Sequence, residues 1–399
     1  MLDERAIFLA QAQALLDQFD WAGEMLRSNQ LDKKIRDAAS RRFSVFLEKH
    51  KAELRKLRDA VADGDALETS WGSLADFRKD YRDFFQECLG LLGGSLIRER
   101  KLDGGLCEIA DALLRDIGER TIPWSGFCVL AEGNFYTETS EVVRLPFHDR
   151  SVWSLPVAAH ELGHYVGPRI KDGNDEPLFK AALEVRKGLA GPEEGDLKRL
   201  ERHYHEFLAD LFALYTLGPA YACACLLLRF SPADRVRVGE QRRPAVCEDG
   251  ETHPSHARRA DLMLLVLKQL DKAGAGYGGM HNFLAGAWKE NVKAAGLAAC
   301  LETKGWPKTQ FLSDDLYPIV TEWLPKKARY DGWSRAVGLR DDLKKGTPPQ
   351  EACGDEDRIA DVLNAAWLWR VEAGPDDWKS GAVSDRALKY CREIMGRGV

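Results

Sequence analysis

The chain has 399 residues, of which 45% are hydrophobic and 30% are charged, so it has the balance of a globular protein without long disordered regions. Its length allows two or three domains or one large helical body. The formal net charge of −6 argues against a general nucleic-acid binder, and no nucleic-acid partner is expected.

The first 120 residues are predicted to be an N-terminal helical region. Apolar residues recur at spacings of three and four over Ala6–Leu26 and Leu31–Val61, with charged residues between them. Trp71–Leu92 and Leu106–Ile117 show the same pattern and predict two further helices.

The pattern changes after residue 121. Phe127–Leu130 and Val142–Leu145 are short and rich in β-branched or aromatic residues, which predicts two strands. A helix is expected from about Trp153 to Val166, because Pro156 suits a first helical turn and Gly167-Pro168 ends one.

Further helices are predicted downstream. A charged, glycine-containing and proline-containing excursion precedes a long helix at about Asp196–Leu217, with a short helix expected around Leu178–Val185. Ser255 is placed to cap a helix that runs to Leu270. Residues 271–399 read as a C-terminal helical region, so the predicted fold class is mainly α (α+β).

The chain shows no sign of export or membrane insertion. Its N-terminal residues lack the basic start and apolar run of a secretory signal. The most apolar run, Leu211–Leu228, is broken by Gly218-Pro219, so we expect two buried helix segments and no membrane span. The nine cysteines are odd in number and include no Cys-x-x-Cys pair, which predicts reduced thiols and a cytoplasmic protein.

The residues that carry chemistry are His160-Glu161-Leu162-Gly163-His164. On a helix, positions i and i+4 lie on one face, about 6 Å apart along the axis, so two imidazoles there can bind one metal ion. Zinc prefers such nitrogen and oxygen ligands, and Glu161 can reach a metal-bound water as the general base. The pattern alone also permits an ordinary pair of histidines on a helix surface or in a core.

The surroundings of the motif favour the metal. The helix is apolar around it, and buried histidines and glutamate are costly unless a partner such as a metal ion compensates. Gly163 weakens a helix by ~1 kcal/mol relative to alanine, but it allows another backbone to approach the metal-binding face.

The long downstream helix offers a third ligand. Glu206 and Asp210 lie one turn apart on one face, which suits a carboxylate ligand and a second carboxylate that orients His160 through its other ring nitrogen. The alternatives are a solvated acidic pair, or His203 as a ligand in place of Glu206. His205 is expected to point elsewhere.

These motifs resemble a known group of enzymes. His160-Glu161-x-x-His164 followed by Glu206-x-x-Ala209-Asp210 resembles the gluzincin clan of zinc peptidases. Thr252-His253-Pro254-Ser255, with Arg258 or Arg259 just after, is similar to a segment in the family of HtpX and the CAAX prenyl endopeptidases. The resemblance covers roughly residues 121–270 and leaves the two helical flanks unassigned; members of that family are usually embedded in a membrane.

The resemblance implies a zincin-like core with a small β-sheet and two zinc-binding helices. Zn²⁺ would be held by His160, His164 and Glu206, and the chain would be an endopeptidase that hydrolyses peptide bonds with a water activated by Glu161. His253 would stabilise the oxyanion. The strand Val142–Leu145 would be the edge strand along which substrate peptides lie.

Two other classes of protein remain open from the sequence. The first is a non-catalytic zinc-containing regulatory or scaffold protein derived from a peptidase, in which His203 or His253 closes the site as a fourth ligand. The second is a helical binding protein without metal. In the peptidase interpretation the partner is a peptide or protein substrate, and the helical flanks offer surfaces for a partner protein.

Overall fold

Helices make up most of the computed structural model, and short β-sheets complete it, which confirms the predicted mainly α class. The structure describes residues 3–27, 33–131, 136–137, 142–146, 151–171, 175–177, 194–239, 241–301, 309–374 and 381–397. The short helix predicted around Leu178–Val185 lies outside the described residues.

The described residues divide into two compact units. The first lies within residues 1–104 and 126–147, and the second within residues 105–125 and 148–399. The three regions predicted from the sequence, with boundaries near residues 120 and 270, stay a prediction.

The first unit is built on three long helices: α1 (Glu4–Leu26), α2 (Lys33–Ala62) and α3 (Leu67–Glu99). The apolar positions that recur every three or four residues on these helices form its core, in which the rings of Phe43 and Phe84 meet edge to face. Asp3 caps α1 by accepting a hydrogen bond from the backbone N–H of Ala6.

A three-stranded sheet completes the first unit, with β1 (Phe127–Ala131), β2 (Tyr136–Thr137) and β3 (Val142–Pro146) in the order β1-β3-β2. Both predicted strands are confirmed as β1 and β3. The expected edge strand is wrong in position, because β3 pairs in parallel with β1 on one side and antiparallel with β2 on the other. At Val142 and Val143 the backbone groups of β3 are already engaged by its two neighbours.

The second unit contains the remaining elements. Its helices are α4 (Leu106–Arg120), α5 (Val157–Val166), α6 (Glu194–Leu217), α7 (Pro219–Ala224), α8 (His256–Leu270), α9 (Gly278–Ala294), α10 (Thr309–Trp323), α11 (Trp333–Lys345), α12 (Pro349–Ala352), α13 (Ile359–Ala373) and α14 (Gly381–Arg397). Its strands β4 (Arg235–Val238) and β5 (Gln241–Pro244) form a two-stranded antiparallel ribbon. Helix α6 packs against both α5 and α8. The three segments that carry the sequence motifs therefore meet inside the second unit.

The apolar run Leu211–Leu228 forms two helix segments that are buried as far as Leu226, as predicted, whereas Leu228 at its end is exposed. Helix α6 ends at Leu217, Gly218 adopts a positive φ of 75°, and α7 begins at Pro219. Within the described chain, no helix is long and apolar enough to cross a bilayer.

The expectation that all cysteines are reduced is wrong for one pair. Cys247 and Cys300 form a disulfide, with their Cα atoms 4.9 Å apart. The other seven cysteines are not part of this disulfide, and all seven are buried. Since 53 residues separate the two partners, their pairing depends on how the chain folds and leaves no local pattern in the sequence.

Candidate metal centre

Helix α5 presents His160 and His164 one turn apart, and both predicted ligands face α6. Gly163 makes this approach possible: a Cβ atom there would lie 2.7 Å from the Cα of Ala209 on α6. The two helix backbones are therefore in direct contact at this point, which confirms the close approach predicted for Gly163. The consequence is that Glu206, three residues before Ala209, comes within reach of both histidines.

The three predicted ligands converge. Nε2 of His160 lies 3.2 Å from Nε2 of His164 and 3.4 Å from Oε2 of Glu206. Nε2 of His164 lies 3.4 Å from Oε1 of Glu206. Within the described residues, these three side chains form a group that could hold a metal ion, because their ligand atoms all lie within 4.8 Å of one another.

These separations fit a tetrahedral metal site. Ligand atoms about 2.1 Å from a tetrahedral Zn²⁺ lie roughly 3.4 Å from each other, close to the separations between the three side chains. Oε2 of Glu206 is buried and has no hydrogen-bond partner of good geometry among the described residues, although Nε2 of His160 and a terminal nitrogen of Arg259 each lie 3.4 Å away. Two imidazoles and one carboxylate are also a donor set that zinc prefers, and they leave a fourth position for water.

The other ring nitrogen of His160 is held from behind. Nδ1 lies 3.0 Å from Oδ1 of Asp210, the partner predicted from the sequence, and 3.0 Å from the hydroxyl of Tyr221. Tyr221 in turn donates a hydrogen bond to Oδ1 of Asp210 at 2.5 Å. An Nδ1–H that donates to this pair leaves the Nε2 lone pair directed at the ligand cluster, which is the tautomer a metal needs.

Arg259 on α8 joins the two acidic side chains of α6. Its Nε and one terminal nitrogen donate to the two oxygens of Asp210 at 2.8 and 2.7 Å. Its other terminal nitrogen lies 3.4 Å from Oε2 of Glu206. The guanidinium is buried, so it compensates negative charge that water does not reach.

The electrostatics of the cluster favour a cation. Burial alone raises the pKa of Glu206, but hydrogen bonds with His160 and His164 and the charge of Arg259 hold it well below its usual range. Burial likewise raises the pKa of Asp210, yet Arg259 and His160 bring it down to about 2. Burial lowers the pKa of His160, whereas hydrogen bonds with Asp210 and Glu206 raise it to about 9. The two carboxylates are thus ionised at neutral pH, and a metal ion can replace the proton that His160 otherwise keeps between them.

Glu161, the predicted general base, follows His160 on α5 and is only 4% exposed. It lies next in sequence to one predicted ligand and three residues before the other on α5. Its carboxylate is therefore largely shielded from bulk water.

His253 reaches the cluster from the segment that precedes α8. Its Nε2 lies 3.4 Å from Oε1 of Glu206, while its side chain is 59% exposed. The hydroxyl of Thr252 lies 2.7 Å from Nδ1 of the same ring. If this hydroxyl donates, Nε2 carries the proton and can act as a hydrogen-bond donor toward the cluster.

The two histidines of α6, His203 and His205, are not part of the cluster. Nε2 of His203 lies 3.0 Å from the backbone oxygen of Gly250, and its Nδ1 is 4.0 Å from Asp249. The ring of His205 lies parallel to that of His164 with centroids 6.0 Å apart, and burial lowers its pKa to about 4. The structure thus groups Glu206, not His203, with the two α5 histidines.

Two members of the site carried no predicted role. Tyr221 lies in the apolar run that predicted a buried helix, and nothing in that run distinguishes it from a core residue. Arg259 belongs to the motif behind the family resemblance, but its spacing does not reveal which acids it contacts. Only the packing of α7 and α8 against α6 brings both side chains to Asp210.

Ser255 caps α8 as predicted, accepting a hydrogen bond from the backbone N–H of Arg258. This cap orders the start of the helix that carries Arg259, and it follows directly on the Thr252–His253 segment.

No protein-family model, curated protein sequence or solved structure matches the chain. The geometry of the cluster therefore carries the functional argument.

Proposed function

We propose that the chain is a zinc-dependent peptidase, an endopeptidase with the gluzincin arrangement of ligands. The observation that supports this most directly is the set of separations between His160, His164 and Glu206, which fit three corners of a zinc tetrahedron. A site with three protein ligands and a carboxylate at the position of Glu161 has the parts of a hydrolase, since a structural site has no need of a base.

In this proposal His160, His164 and Glu206 would hold Zn²⁺, which would supply Lewis acidity for the scissile carbonyl and the attacking water. Glu161 accepts the proton of the attacking water and passes it to the leaving amine. Asp210, Tyr221 and Arg259 keep the ring of His160 in one orientation and one tautomer. His253, on the exposed side of the cluster, donates a hydrogen bond to the developing oxyanion.

The proposal is tested by separating metal content from turnover. We expect about one zinc per chain in protein purified without added metal, and loss of that zinc in Glu206→Ala. Glu161→Gln should keep the metal but lower the cleavage of an unfolded protein mixture by about a hundred-fold or more. Glu290→Gln, the same change at an exposed residue paired with Lys293, is the matched control. Full turnover in Glu161→Gln would rule out this mechanism.

The second candidate is a non-catalytic zinc protein with a closed site. The observation in its favour is the 3.4 Å separation between Nε2 of His253 and Oε1 of Glu206, which also fits a tetrahedral edge. If His253 were a fourth ligand, His253→Ala would weaken zinc binding by an order of magnitude or more, and no peptide would be cleaved. In the peptidase proposal the same variant keeps its zinc and loses turnover.

A further inference from the structure

The ribbon formed by β4 and β5 carries a concentrated positive charge in a chain whose net charge is negative. Four of the ten residues from 235 to 244 are arginines. In the antiparallel register Arg237 lies directly opposite Arg242, and Arg235 lies opposite Pro244. Residues that face each other across a ladder share one side of the sheet, so Arg235, Arg237 and Arg242 form a single arginine face. All three are exposed.

The arginine face lacks acidic partners among the described residues. Arg235 donates to backbone oxygens of the preceding turn, and Arg237 donates to the backbone oxygen of Gly239. By contrast Arg243, on the opposite side of the ribbon, pairs with Glu248 at 3.3 Å. Like charges directly opposite each other destabilise a strand pair, so the juxtaposition of Arg237 and Arg242 costs the ribbon stability that a bound anion would restore.

The opposite side of the ribbon contacts Gly250, which in turn contacts helix α6. Val236 is half-buried, and a Cβ atom on Gly250 would lie 2.8 Å from its Cγ2. The backbone oxygen of Gly250 lies 3.0 Å from Nε2 of His203, which is on the same helix as Glu206. The backbone N–H of Gly250 also donates to the oxygen of His253. The arginine face is therefore held in a defined place relative to the metal centre.

The ribbon also offers backbone groups. Neither β4 nor β5 pairs with a third strand in the part of the chain that the structure describes. An extended peptide can add to such an edge through backbone hydrogen bonds, and alternate side chains then point to one side. On this ribbon one of those sides is the arginine face.

We propose that the arginine face is a docking site for an acidic stretch of an extended peptide substrate. That the peptide is a substrate rests on the proposed peptidase function, whereas the docking itself does not. Carboxylates at alternate positions of the peptide would pair with Arg237 and Arg242 and remove the repulsion between them. The same attraction would favour acidic protein segments over neutral or basic ones and would weaken as salt is added.

A binding measurement without turnover tests this inference. The probe is a fluorescently labelled ten-residue peptide of alternating Glu and Val, and its twin has Gln in place of Glu. Anisotropy titrations use the full chain carrying Glu161→Gln, so that the probe is not cleaved. We expect the acidic probe to bind more tightly than its twin, and R237Q/R242Q to weaken its binding roughly five- to ten-fold, as two exposed charge pairs would.

Two controls isolate the arginine face from total charge and from folding. K344Q/K345Q removes the same two charges from the exposed end of α11 and should leave binding unchanged. R237K/R242K keeps the charges and should keep most of the affinity. Removing two like charges takes no ion pair from the described structure, so we expect R237Q/R242Q to melt at or above the parent temperature.

The outcomes separate the two proposals. If R237Q/R242Q binds the acidic probe as well as the parent, this inference is overturned, whether or not the chain proves to be a peptidase. If a single-stranded oligonucleotide binds more tightly than the acidic probe and loses affinity in R237Q/R242Q, the peptide is the wrong ligand and the inference is again overturned. If the probe behaves as expected but no peptide is ever cleaved, the docking site stands and the peptidase proposal fails.

Discussion

The hydroxyl of Tyr221 donates a hydrogen bond to Oδ1 of Asp210 at 2.5 Å, and both groups are buried beside Nδ1 of His160. Asp210 also receives two hydrogen bonds from Arg259. One acidic side chain thus connects helices α5, α6, α7 and α8 at the back of the proposed metal site. The tightness of metal binding should depend on this connection as well as on the ligands.

Tyr221→Phe tests that dependence with the removal of a single oxygen. The variant leaves Asp210 and Nδ1 of His160 without the hydroxyl, so the orientation of the ring should be less restricted. We expect the zinc dissociation constant to rise roughly ten-fold, measured by competition with a chromogenic chelator. Tyr277→Phe is the matched control, because that buried hydroxyl bonds to the backbone oxygen of Tyr330. Equal zinc affinity in both variants would contradict the role given to Tyr221.

Arg259→Leu should affect stability more than any other change near the site. The substitution removes the guanidinium from two buried carboxylates and leaves Asp210 and Glu206 with only the protonated ring of His160 between them, a loss of about 3–5 kcal/mol in the free energy of unfolding. Urea denaturation of the metal-free chain measures it. Arg202→Leu, which breaks the exposed pair with Glu251, should cost less than about 1 kcal/mol. Similar losses for the two variants would argue against a buried charge network.

Gly163→Ala tests the contact between α5 and α6. Alanine favours a helix over glycine by ~1 kcal/mol. Its Cβ, however, would lie 2.7 Å from the Cα of Ala209, and this atom belongs to the backbone of α6, which cannot shift as a flexible side chain could. We expect a net loss of about 1–3 kcal/mol and weaker zinc binding, since the helices must separate. Gly338→Ala is the control, because its Cβ would meet nothing within 4 Å on α11. That variant should be as stable as the parent or more so.

His253→Ala distinguishes an open site from a closed one. If His253 donates to the oxyanion, the variant keeps about one zinc per chain and its kcat falls roughly a hundred-fold, with little change in KM. Thr252→Val should have a smaller effect in the same direction, because it removes only the hydroxyl near Nδ1 of His253. Loss of zinc in His253→Ala would instead identify this residue as a ligand.

The disulfide between Cys247 and Cys300 makes a prediction that needs no activity assay. Denatured chain without reductant should titrate seven thiols, and all nine should appear after reduction. The C247S/C300S variant should lose about 2–4 kcal/mol of stability, since the bond closes a loop with a sequence separation of 53. Nine thiols in the oxidised, denatured chain would show that the bond does not form.

Local rules determined much of this protein. The 3.6-residue repeat placed His160 and His164 on one face of a helix, and helix-ending and capping residues predicted the end of α5 at Val166 and the start of α8 at Ser255, although α5 begins at Val157 and not near Trp153. Glu206 and Asp210 followed from the same repeat on α6. In each case the atoms concerned lie within a few residues of each other, so short-range geometry decides their arrangement.

Tertiary packing decided the rest. That Glu206 meets both histidines depends on Gly163 lying against Ala209, and the roles of Tyr221 and Arg259 depend on two more helices packing on α6. The pairing of Cys247 with Cys300 and the central place of β3 are likewise contacts between distant segments. No periodicity within one segment encodes such contacts, because they arise from how whole helices and strands bury their apolar faces against one another.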